Sequence, residues 1–213
     1  MAASRLLDLF CGAGGAAMGY YRAGFTEIVG VDNRLMPRYP FAFVQADALE
    51  YLAEHGREFD VIHASPPCQG YSRTQRIHGR EYPMVIEQLR AALRSIGQPY
   101  VIENVPGAPL INPVLLCGTM FGLRVFRHRL FETVPFLLAP EHTTHHKPAC
   151  IVGRQPTPGQ YMTVAGHFAN MAYAREAMGI DWMTRDELSQ AIPPAYCEWI
   201  GRRLLEAING RTH

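Results

Sequence analysis

The sequence predicts an α/β fold with a mostly parallel central sheet and helices on both of its faces. Two observations lead to this prediction. Over residues 5–130, short apolar runs rich in β-branched residues alternate with segments whose apolar residues recur at helical spacing. In addition, a cluster of glycines directly follows the first apolar run and opens a helix-like segment. Repeated strand–turn–helix units of this kind build parallel sheets covered by helices.

The strand-like and helix-like segments follow one another in a regular order. The strand-like runs are residues 5–10, 26–32, 42–47, 59–65 and 99–105. The helix-like segments are residues 11–24, 48–56 and 81–97. The second and third of these end on Gly56 and Gly97, as expected because glycine commonly terminates helices.

The pattern changes after residue 105. From about 105 to 160, prolines, glycines, threonines and histidines dominate, which favours loops and short irregular strands. Further on, 161–167 resembles a strand, and helices are predicted over 169–180, 184–192 and 194–210. Thr184 and Glu187 have capping-box spacing, and Pro194 stands where a helix begins. We expect a core of residues 1–130, a small loop-rich insertion of residues 131–160, and a C-terminal strand and helices at 161–213 that complete the core.

Composition and charge exclude several classes of protein. Hydrophobic residues make up 48% of the chain and charged residues 18%, which is typical of a folded domain. The net charge of +1 gives no overall basic field, although a local basic patch would not show in the sum. We expect a cytoplasmic protein without membrane contact, because no apolar run is long enough to cross a bilayer. The five cysteines are scattered and form no CxxC pair, which favours reduced thiols.

The first motif is "DLFCGAGG", residues 8–15. Its glycines let the backbone approach a ligand at the carboxyl end of a strand, but their spacing is not G-x-G-x-x-G, which argues against a pyrophosphate cradle. Asp32 closes the second strand about 20 residues later, where nucleotide-binding sheets place an acidic residue for ribose hydroxyls. Asp47 closes the third strand. Together they predict a nucleoside-shaped ligand, although Asp47 is equally placed to cap the next helix.

The second motif is "SPPCQGYS", residues 65–72. Pro66 and Pro67 end a central strand stiffly, and Gly70 permits an abrupt change of direction. Cys68 therefore lies just past the carboxyl end of the sheet, where such folds place reactive groups, and a thiol is a good nucleophile near neutral pH. The alternative is a buried cysteine beside a tight turn. We expect the strand to bury His63 rather than to pair it with the thiol.

A third motif, "ENV" at residues 103–105, puts a carboxyl group at the end of the next strand. If the two strands are neighbours, Glu103 and Cys68 face the same pocket. A thiolate and a carboxylic acid together suit attack on an electron-poor ring whose nitrogen the acid protonates. The alternative for Glu103 is an ion-paired or surface residue at a strand end.

These motifs resemble those of the DNA cytosine-5 methyltransferases. "DLFCGAGG", "SPPCQGYS", "ENV" and "RHRLF" (residues 127–131) occur in that family's order, and the resemblance covers about residues 5–131. It implies a Rossmann-like S-adenosylmethionine-dependent methyltransferase fold. It also implies transfer of a methyl group from S-adenosylmethionine to C5 of a cytosine flipped out of DNA.

The resemblance also implies a role for individual residues. Cys68 is expected to attack C6, Glu103 to contact N3 and the exocyclic amine, and Arg129 to bind O2. Arg127 is expected to help position the site, with Gln69, Ser72 and Asn104 on the substrate side. The residues expected around the cofactor are Phe10, Cys11, Gly12, Gly14, Gly15, Asp32 for the ribose, Asp47 for the adenine amine, and Pro66.

The sequence departs from that family in three ways. Val125 stands where the arginine motif begins with Gln, and the late Gly-Asn-Ser/Ala-Val motif is replaced by residues 192–204. The segment between 131 and 160 is short for a surface that reads bases. Two alternatives therefore stay open. The first is a non-autonomous methyltransferase subunit, or a non-catalytic nucleic-acid-binding protein, that needs a partner chain for target recognition. The second is a methyltransferase acting on cytosine of RNA or of a nucleotide. Oligomeric state, recognition sequence, and the role as restriction partner, orphan or viral methylase are also open.

A histidine-rich stretch, "EHTTHHKPAC", raises the question of a metal site. Its candidate ligands are His142, His145, His146 and Cys150. Their order and spacing fit no established zinc pattern. The sequence therefore predicts a polar loop and no metal.

Overall fold

The chain forms an α/β fold around a seven-stranded, mostly parallel sheet, as the sequence predicts. The computed structural model describes residues 4–67, 85–142, 144–146, 148–150, 153–157 and 159–210. The strands are β1 (Arg5–Leu9), β2 (Glu27–Asp32), β3 (Ala42–Gln45), β4 (Val61–Ala64), β5 (Tyr100–Asn104), β6 (Val114–Leu116) and β7 (Arg129–Val134). Their order in the sheet is β3-β2-β1-β4-β5-β7-β6, and β7 runs antiparallel to both β5 and β6.

Six α-helices lie within the described residues. They are α1 (Gly15–Ala23), α2 (Ala48–His55), α3 (Ile86–Ile96), α4 (Met171–Met178), α5 (Arg185–Gln190) and α6 (Pro194–Asn209). Their ends agree with the predicted signals: Gly97 terminates α3 at a φ of 82°, and Thr184 and Glu187 form the capping box of α5. Pro194 is the first residue of α6. Among the described residues, no helix combines the length and the apolar character that crossing a membrane requires.

The two faces of the sheet follow from the alternation of side chains along each strand. Leu6 and Val101 belong to the apolar cluster on the face that packs against α1 and α6. Leu7 and Ile102 belong to the cluster on the opposite face, against α2 and α3. Burial of each such side chain contributes about 1.5–3 kcal/mol.

The C-terminal helix α6 completes one side of the core by packing closely on α1. A Cβ atom on Gly19 would overlap the carbonyl oxygen of Pro194, and one on Gly201 would lie 2.8 Å from Cβ of Ala23. The two helices approach this closely because these positions have no side chain.

One predicted element is wrong. Residues 161–167 form no strand and make only isolated bridges, from Tyr161 to Ala149 and from Met162 to Val125. The carbonyl oxygen of Val164 accepts a hydrogen bond from the Arg127 side chain. The insertion of β7 between β5 and β6 was likewise not predicted.

Candidate active site

Three buried polar side chains lie on one face of the sheet, near the carboxyl ends of the parallel strands. Asp8 on β1 pairs in register with His63 on β4, and Glu103 lies near the end of the adjacent strand β5. All three are at most 7% exposed. Since successive residues of a strand point to opposite faces, these positions all face α1 and α6.

The buried Glu103 on β5 forms an ion pair with the partly exposed Arg129 on β7. Nε of Arg129 lies 2.9 Å from Oε1 of Glu103. That carboxylate oxygen has no hydrogen-bond partner within the described part of the chain, so the contact is an ion pair without hydrogen-bond geometry. Burial raises the pKa of Glu103, against the opposing effects of Arg129, Arg127 and a hydrogen bond from the Ser65 hydroxyl. A carboxyl group in this setting is suited to hold a proton and donate it.

His63 links the site to α1 through a chain of hydrogen bonds. Its Nδ1 lies 3.0 Å from the hydroxyl oxygen of Tyr20, and its Nε2 lies 3.0 Å from the hydroxyl oxygen of Ser65. Burial lowers the pKa of His63 to about 3, so the ring is neutral at physiological pH. The prediction that the strand buries His63 is confirmed.

The sequence reasoning missed that His63 and Ser65 act together. A neutral imidazole has one donor and one acceptor nitrogen, so each ring nitrogen here has one partner. The chain of contacts from Tyr20 through His63 and Ser65 ends on the carboxyl group of Glu103. The sequence feature that could have indicated this link is a pair of polar residues at positions 63 and 65 of an otherwise apolar run.

The main chain that leads to Cys68 is fixed at its base by Asn104. Nδ2 of Asn104 donates to the carbonyl oxygen of Pro66 at 3.0 Å, and its Oδ1 accepts from the amide of Val105 at 2.9 Å. Asn104 is 1% exposed, so it belongs to the framework of the site. The predicted nucleophile Cys68, with Gln69 and Ser72, lies outside the described residues.

The glycine-rich turn after β1 has backbone conformations that favour glycine. Gly12 and Gly14 have φ angles of 49° and 83°, and Phe10 has one of 54°. A Cβ on Gly14 would lie 2.6 Å from Cδ of Pro40, whereas one on Gly12 would have no atom within 4 Å. The turn is therefore packed at Gly14 and open at Gly12, where a ligand has room to approach the backbone.

Asp32 is the last residue of β2 and Asp47 stands two residues after β3, and the two side chains make different contacts. Oδ2 of Asp32 accepts from the amide of Gly12 at 3.2 Å, which ties the glycine turn to β2. Oδ1 of Asp47 accepts from the amides of Leu49 and Glu50 at 2.8 and 3.1 Å. Asp47 is thus the N-cap of α2, the alternative that its position allowed.

Two further contacts around the turn were not anticipated. Oδ2 of the buried Asp8 accepts from the Tyr39 hydroxyl at 3.2 Å, and burial raises the pKa of Asp8 well above its ordinary value. Nε1 of Trp182 donates to the carbonyl oxygen of Ala13 at 2.8 Å. A partly buried indole N–H needs a hydrogen-bond acceptor, and the sequence near Trp182 does not indicate which residue provides it. Cys11 is buried in the apolar core beside the turn.

Gly15 also meets the C-terminal region. A Cβ atom at this position would lie 2.6 Å from the carbonyl oxygen of Ile192. The segment that replaces the late motif therefore packs directly against the start of α1.

Arg127 and Arg129 have different surroundings although they share a motif. The guanidinium of Arg127 donates to the carbonyl oxygens of Val164 and Ser189, the latter at 2.8 Å. Its own carbonyl oxygen accepts from the hydroxyl of Tyr196 at 2.7 Å. Arg127 therefore joins the C-terminal region to the core, while Arg129 meets Glu103.

The N-terminal half of the chain matches one protein family. Residues 4–108 match the family model described as C-5 cytosine-specific DNA methylase. The Type II methyltransferase M.AquIA of a Picosynechococcus strain is 32% identical over 123 residues, a match covering 48% of this chain and 49% of that protein. M.FnuDI of Fusobacterium nucleatum is 35% identical over 114 residues, covering 48% of this chain and 33% of that protein. The chain thus spans half or less of the length of these curated relatives.

Two solved structures have a similar fold over almost the whole length of this chain. A protein encoded in an E. coli prophage and described as a DNA modification methyltransferase has a TM-score of 0.69 at 14% identity, covering 97% of this chain and all of that chain. The Dnmt2 methyltransferase of S. pombe has a TM-score of 0.64 at 13% identity, covering 98% and 100%. At these identities the likeness establishes the methyltransferase fold.

Proposed function

We propose that this chain, whose residues 4–108 match the C-5 cytosine-specific DNA methylase family, methylates C5 of cytosine in DNA. The methyl donor is S-adenosylmethionine. The relatives from Picosynechococcus and Fusobacterium are named Type II methyltransferases, which supports DNA as the substrate class. The target base is flipped out of the duplex, because a stacked cytosine is out of reach of the site.

The observation that carries the proposal is the ion pair of Glu103 and Arg129. It lies next to the strand end from which the Pro-Pro-Cys segment departs. Its carboxyl group is buried and incompletely hydrogen-bonded, and its pKa is raised. These properties suit a group that contacts N3 and the exocyclic amine of cytosine, while Arg129 binds the neighbouring O2 oxygen.

In the proposed reaction, Cys68 adds to the ring and Glu103 balances the charge. The thiolate sulfur forms a bond to C6 as N3 takes a proton from Glu103, which makes C5 nucleophilic. C5 then bonds the methyl group, whose bond to the sulfonium sulfur of the donor breaks so that the donor leaves as the neutral thioether. Loss of the C5 proton to a base, breakage of the sulfur–C6 bond and return of the N3 proton to Glu103 restore the aromatic ring and free the Cys68 thiolate.

The cofactor is proposed to bind at the turn between β1 and α1. Bound S-adenosylmethionine supplies an electrophilic methyl group. The open space at Gly12 and the glycine spacing, which lacks a pyrophosphate cradle, fit a nucleoside. Phe10, Cys11, Gly12, Gly14 and Gly15 lie in the turn and at the start of α1, and Pro66, two residues after β4, is assigned to the same site. Asp32 is assigned to the ribose and Asp47 to the adenine amine; the capping bonds of Asp47 both use Oδ1.

We propose that this chain recognises only a short DNA sequence, or that a partner chain contributes to target recognition. The segment 131–160 is short for a base-reading surface, which supports a brief recognition sequence or a partner chain. RNA or nucleotide cytosine is the competing substrate, since the ring chemistry is the same.

The direct test uses the purified chain, a methyl-labelled donor and several nucleic acids. Label in DNA that digests to 5-methylcytosine supports the proposal. Label confined to RNA or to free nucleotide, or another modified base in DNA, contradicts it. If DNA is labelled only after a partner chain is added, the proposed reaction is supported, but the proposal that this chain acts alone is contradicted.

A further inference from the structure

Four potential metal ligands converge on one point at the base of the loop-rich insertion. They are Cys117, at the end of β6; His128, one residue before β7; and His142 and His145, in the segment that follows β7. One ligand atom from each lies within 4.8 Å of the other three. We call this group the cysteine–histidine cluster.

The spacing within the cysteine–histidine cluster matches the geometry of tetrahedral zinc. Zn–N bonds of about 2.05 Å and Zn–S bonds of about 2.3 Å place tetrahedral N···N and S···N pairs about 3.3 and 3.6 Å apart. Here Nε2 of His145 lies 3.1 Å from Nε2 of His142 and 3.5 Å from Sγ of Cys117. The widest pair closes to that geometry with roughly an ångström of side-chain movement.

Hydrogen bonding alone explains this arrangement poorly. Nε2 of His145 faces both a sulfur and a second imidazole nitrogen, yet a ring nitrogen has either one proton or one lone pair. One cation between the three atoms satisfies all of their lone pairs at once.

The surroundings hold the ligands in place. Cys117 is fully buried, and the hydroxyl of Thr119 lies 3.5 Å from its sulfur. The ring of His145 stacks on Phe126 at a centroid distance of 4.3 Å, and Phe126 stacks in turn on Tyr161 at 5.0 Å. Ligands restrained in this way resemble those of a closed structural zinc site.

We propose that Cys117, His128, His142 and His145 bind one zinc ion that ties the loop-rich insertion to the strand carrying Arg129. A mixed thiolate and imidazole set suits zinc, and four protein ligands leave no position for a substrate. His128 lies between Arg127 and Arg129, so the ion fixes the backbone of the arginine motif. The site is structural, and it departs from the sequence-based expectation of no metal.

The sequence-based expectation considered a partly different set of candidate ligands. Two of its four candidates, His146 and Cys150, lie outside the cluster. His146 is exposed, and Cys150 is buried with its thiol directed at the carbonyl oxygen of Arg154 at 3.3 Å. The cluster contains Cys117 and His128 in their place. These two residues lie well before His142 in the sequence, and the fold brings them next to His142 and His145.

The test titrates metal-depleted full-length protein with Co²⁺ and records the visible spectrum. We expect one Co²⁺ per chain, with the intense d–d bands of tetrahedral coordination and a thiolate-to-cobalt charge-transfer band. Cys117→Ser should remove the charge-transfer band, and His142→Ala should weaken Co²⁺ binding at least about tenfold. The matched controls His146→Ala and Cys150→Ser, together with Cys68→Ser, should retain the spectrum.

The proposal is overturned if the wild-type chain binds no stoichiometric Co²⁺, or if the spectrum survives Cys117→Ser but not Cys150→Ser. A second measurement does not depend on variants that fold poorly: Zn²⁺ should raise the unfolding temperature of the wild-type chain, and a chelator should reverse the rise. An unchanged temperature also contradicts the proposal. These readouts involve no methyl transfer, so they are independent of the proposed enzymatic function.

Discussion

Two glutamate–arginine pairs each have one member on β7, Glu132 in the first and Arg129 in the second, and their carboxylates differ in how completely they are hydrogen-bonded. Glu132 accepts from Nε and Nη2 of Arg90, both at 2.9 Å, from the Tyr100 hydroxyl and from the amide of Ile111. Glu103 faces Arg129 and leaves Oε1 without a hydrogen bond within the described part of the chain. Both carboxylate oxygens of Glu132 therefore accept hydrogen bonds, whereas Oε1 of Glu103 has capacity for a ligand. Nη1 of Arg90 has an ion-pair contact with Glu87 but no hydrogen bond within the described residues.

The electrostatics of the two pairs differ accordingly. Hydrogen bonding to Glu132 raises the pKa of Arg90, so this pair stabilises its charged form. Burial raises the pKa of Glu103 despite the nearby arginines. The comparison supports a division in which the Arg90 pair holds α3 against the sheet and, in the proposed reaction, the Arg129 pair contacts the cytosine. Three predictions test this division, and a fourth tests the proposed cofactor role of Asp47.

The largest expected effect is on catalysis. Glu103→Gln keeps the shape of the side chain but removes the acid, so methyl transfer should fall about 100- to 10,000-fold. The free energy of unfolding should stay equal or rise, because a poorly solvated carboxylate is removed. Single-turnover methyl transfer and urea unfolding measure the two quantities, with the exposed Glu54→Gln as control. A rate within about threefold of wild type would remove Glu103 from the mechanism.

The second prediction concerns stability. Glu132→Gln leaves Arg90 buried without its carboxylate, so the free energy of unfolding should fall by about 3 kcal/mol. Methyl transfer per folded molecule should change little. Replacing both partners, as Glu132→Leu with Arg90→Met, should recover much of the loss. If Glu132→Gln abolished transfer while leaving stability intact, the division between the two pairs would be reversed.

The third prediction is a pH dependence. Because the pKa of Glu103 is higher in the folded chain than its ordinary 4.5, folding favours the protonated form. This contribution to stability is fully present below the unfolded pKa and is lost as pH rises through the folded pKa. The stability of Glu103→Gln relative to wild type should therefore increase with pH above about 4.5. Urea unfolding of both proteins across this range measures it, and a difference that shrinks with pH would contradict the raised pKa.

The smallest effect separates the two roles of Asp47. Asp47→Ala removes the N-cap of α2 and should cost about 1 kcal/mol of unfolding free energy. Asp47→Asn retains the cap, so its stability should stay near wild type, while binding of S-adenosylmethionine weakens about tenfold if a carboxylate oxygen meets the adenine amine. Calorimetric titration measures the affinity. Unchanged binding in Asp47→Asn would leave this residue a helix cap alone.

The parts of the fold that the sequence predicted depend on local signals. The five parallel strands, the end of α3 at Gly97 and the capping box of α5 each follow from residues a few positions apart. The insertion of β7 into the sheet was not predictable, because it requires residue 134 to pair with residue 100. Nothing near Arg127 in the sequence indicates that its partners are the carbonyls of Val164 and Ser189.

The candidate site likewise combines features that local sequence predicted with features that depend on the fold. Glu103 and Arg129 were both identified from their motifs, and the structure brings the two side chains into contact. The link from His63 through Ser65 depends on a strand register that spacing alone did not supply. Cys117 and His128 escaped notice for a related reason: each is unremarkable in its own segment, and only the fold brings them to His142 and His145.

The most direct test of the proposed chemistry is covalent trapping on DNA containing 5-fluorocytosine in the presence of S-adenosylmethionine. Fluorine at C5 cannot leave as a proton does, so the adduct between Cys68 and C6 should accumulate. We predict a protein–DNA complex that survives denaturing electrophoresis, is absent in Cys68→Ser, and forms far more slowly in Glu103→Gln. Normal methyl transfer by Cys68→Ser, or an equally abundant complex without that thiol, would contradict the proposed mechanism.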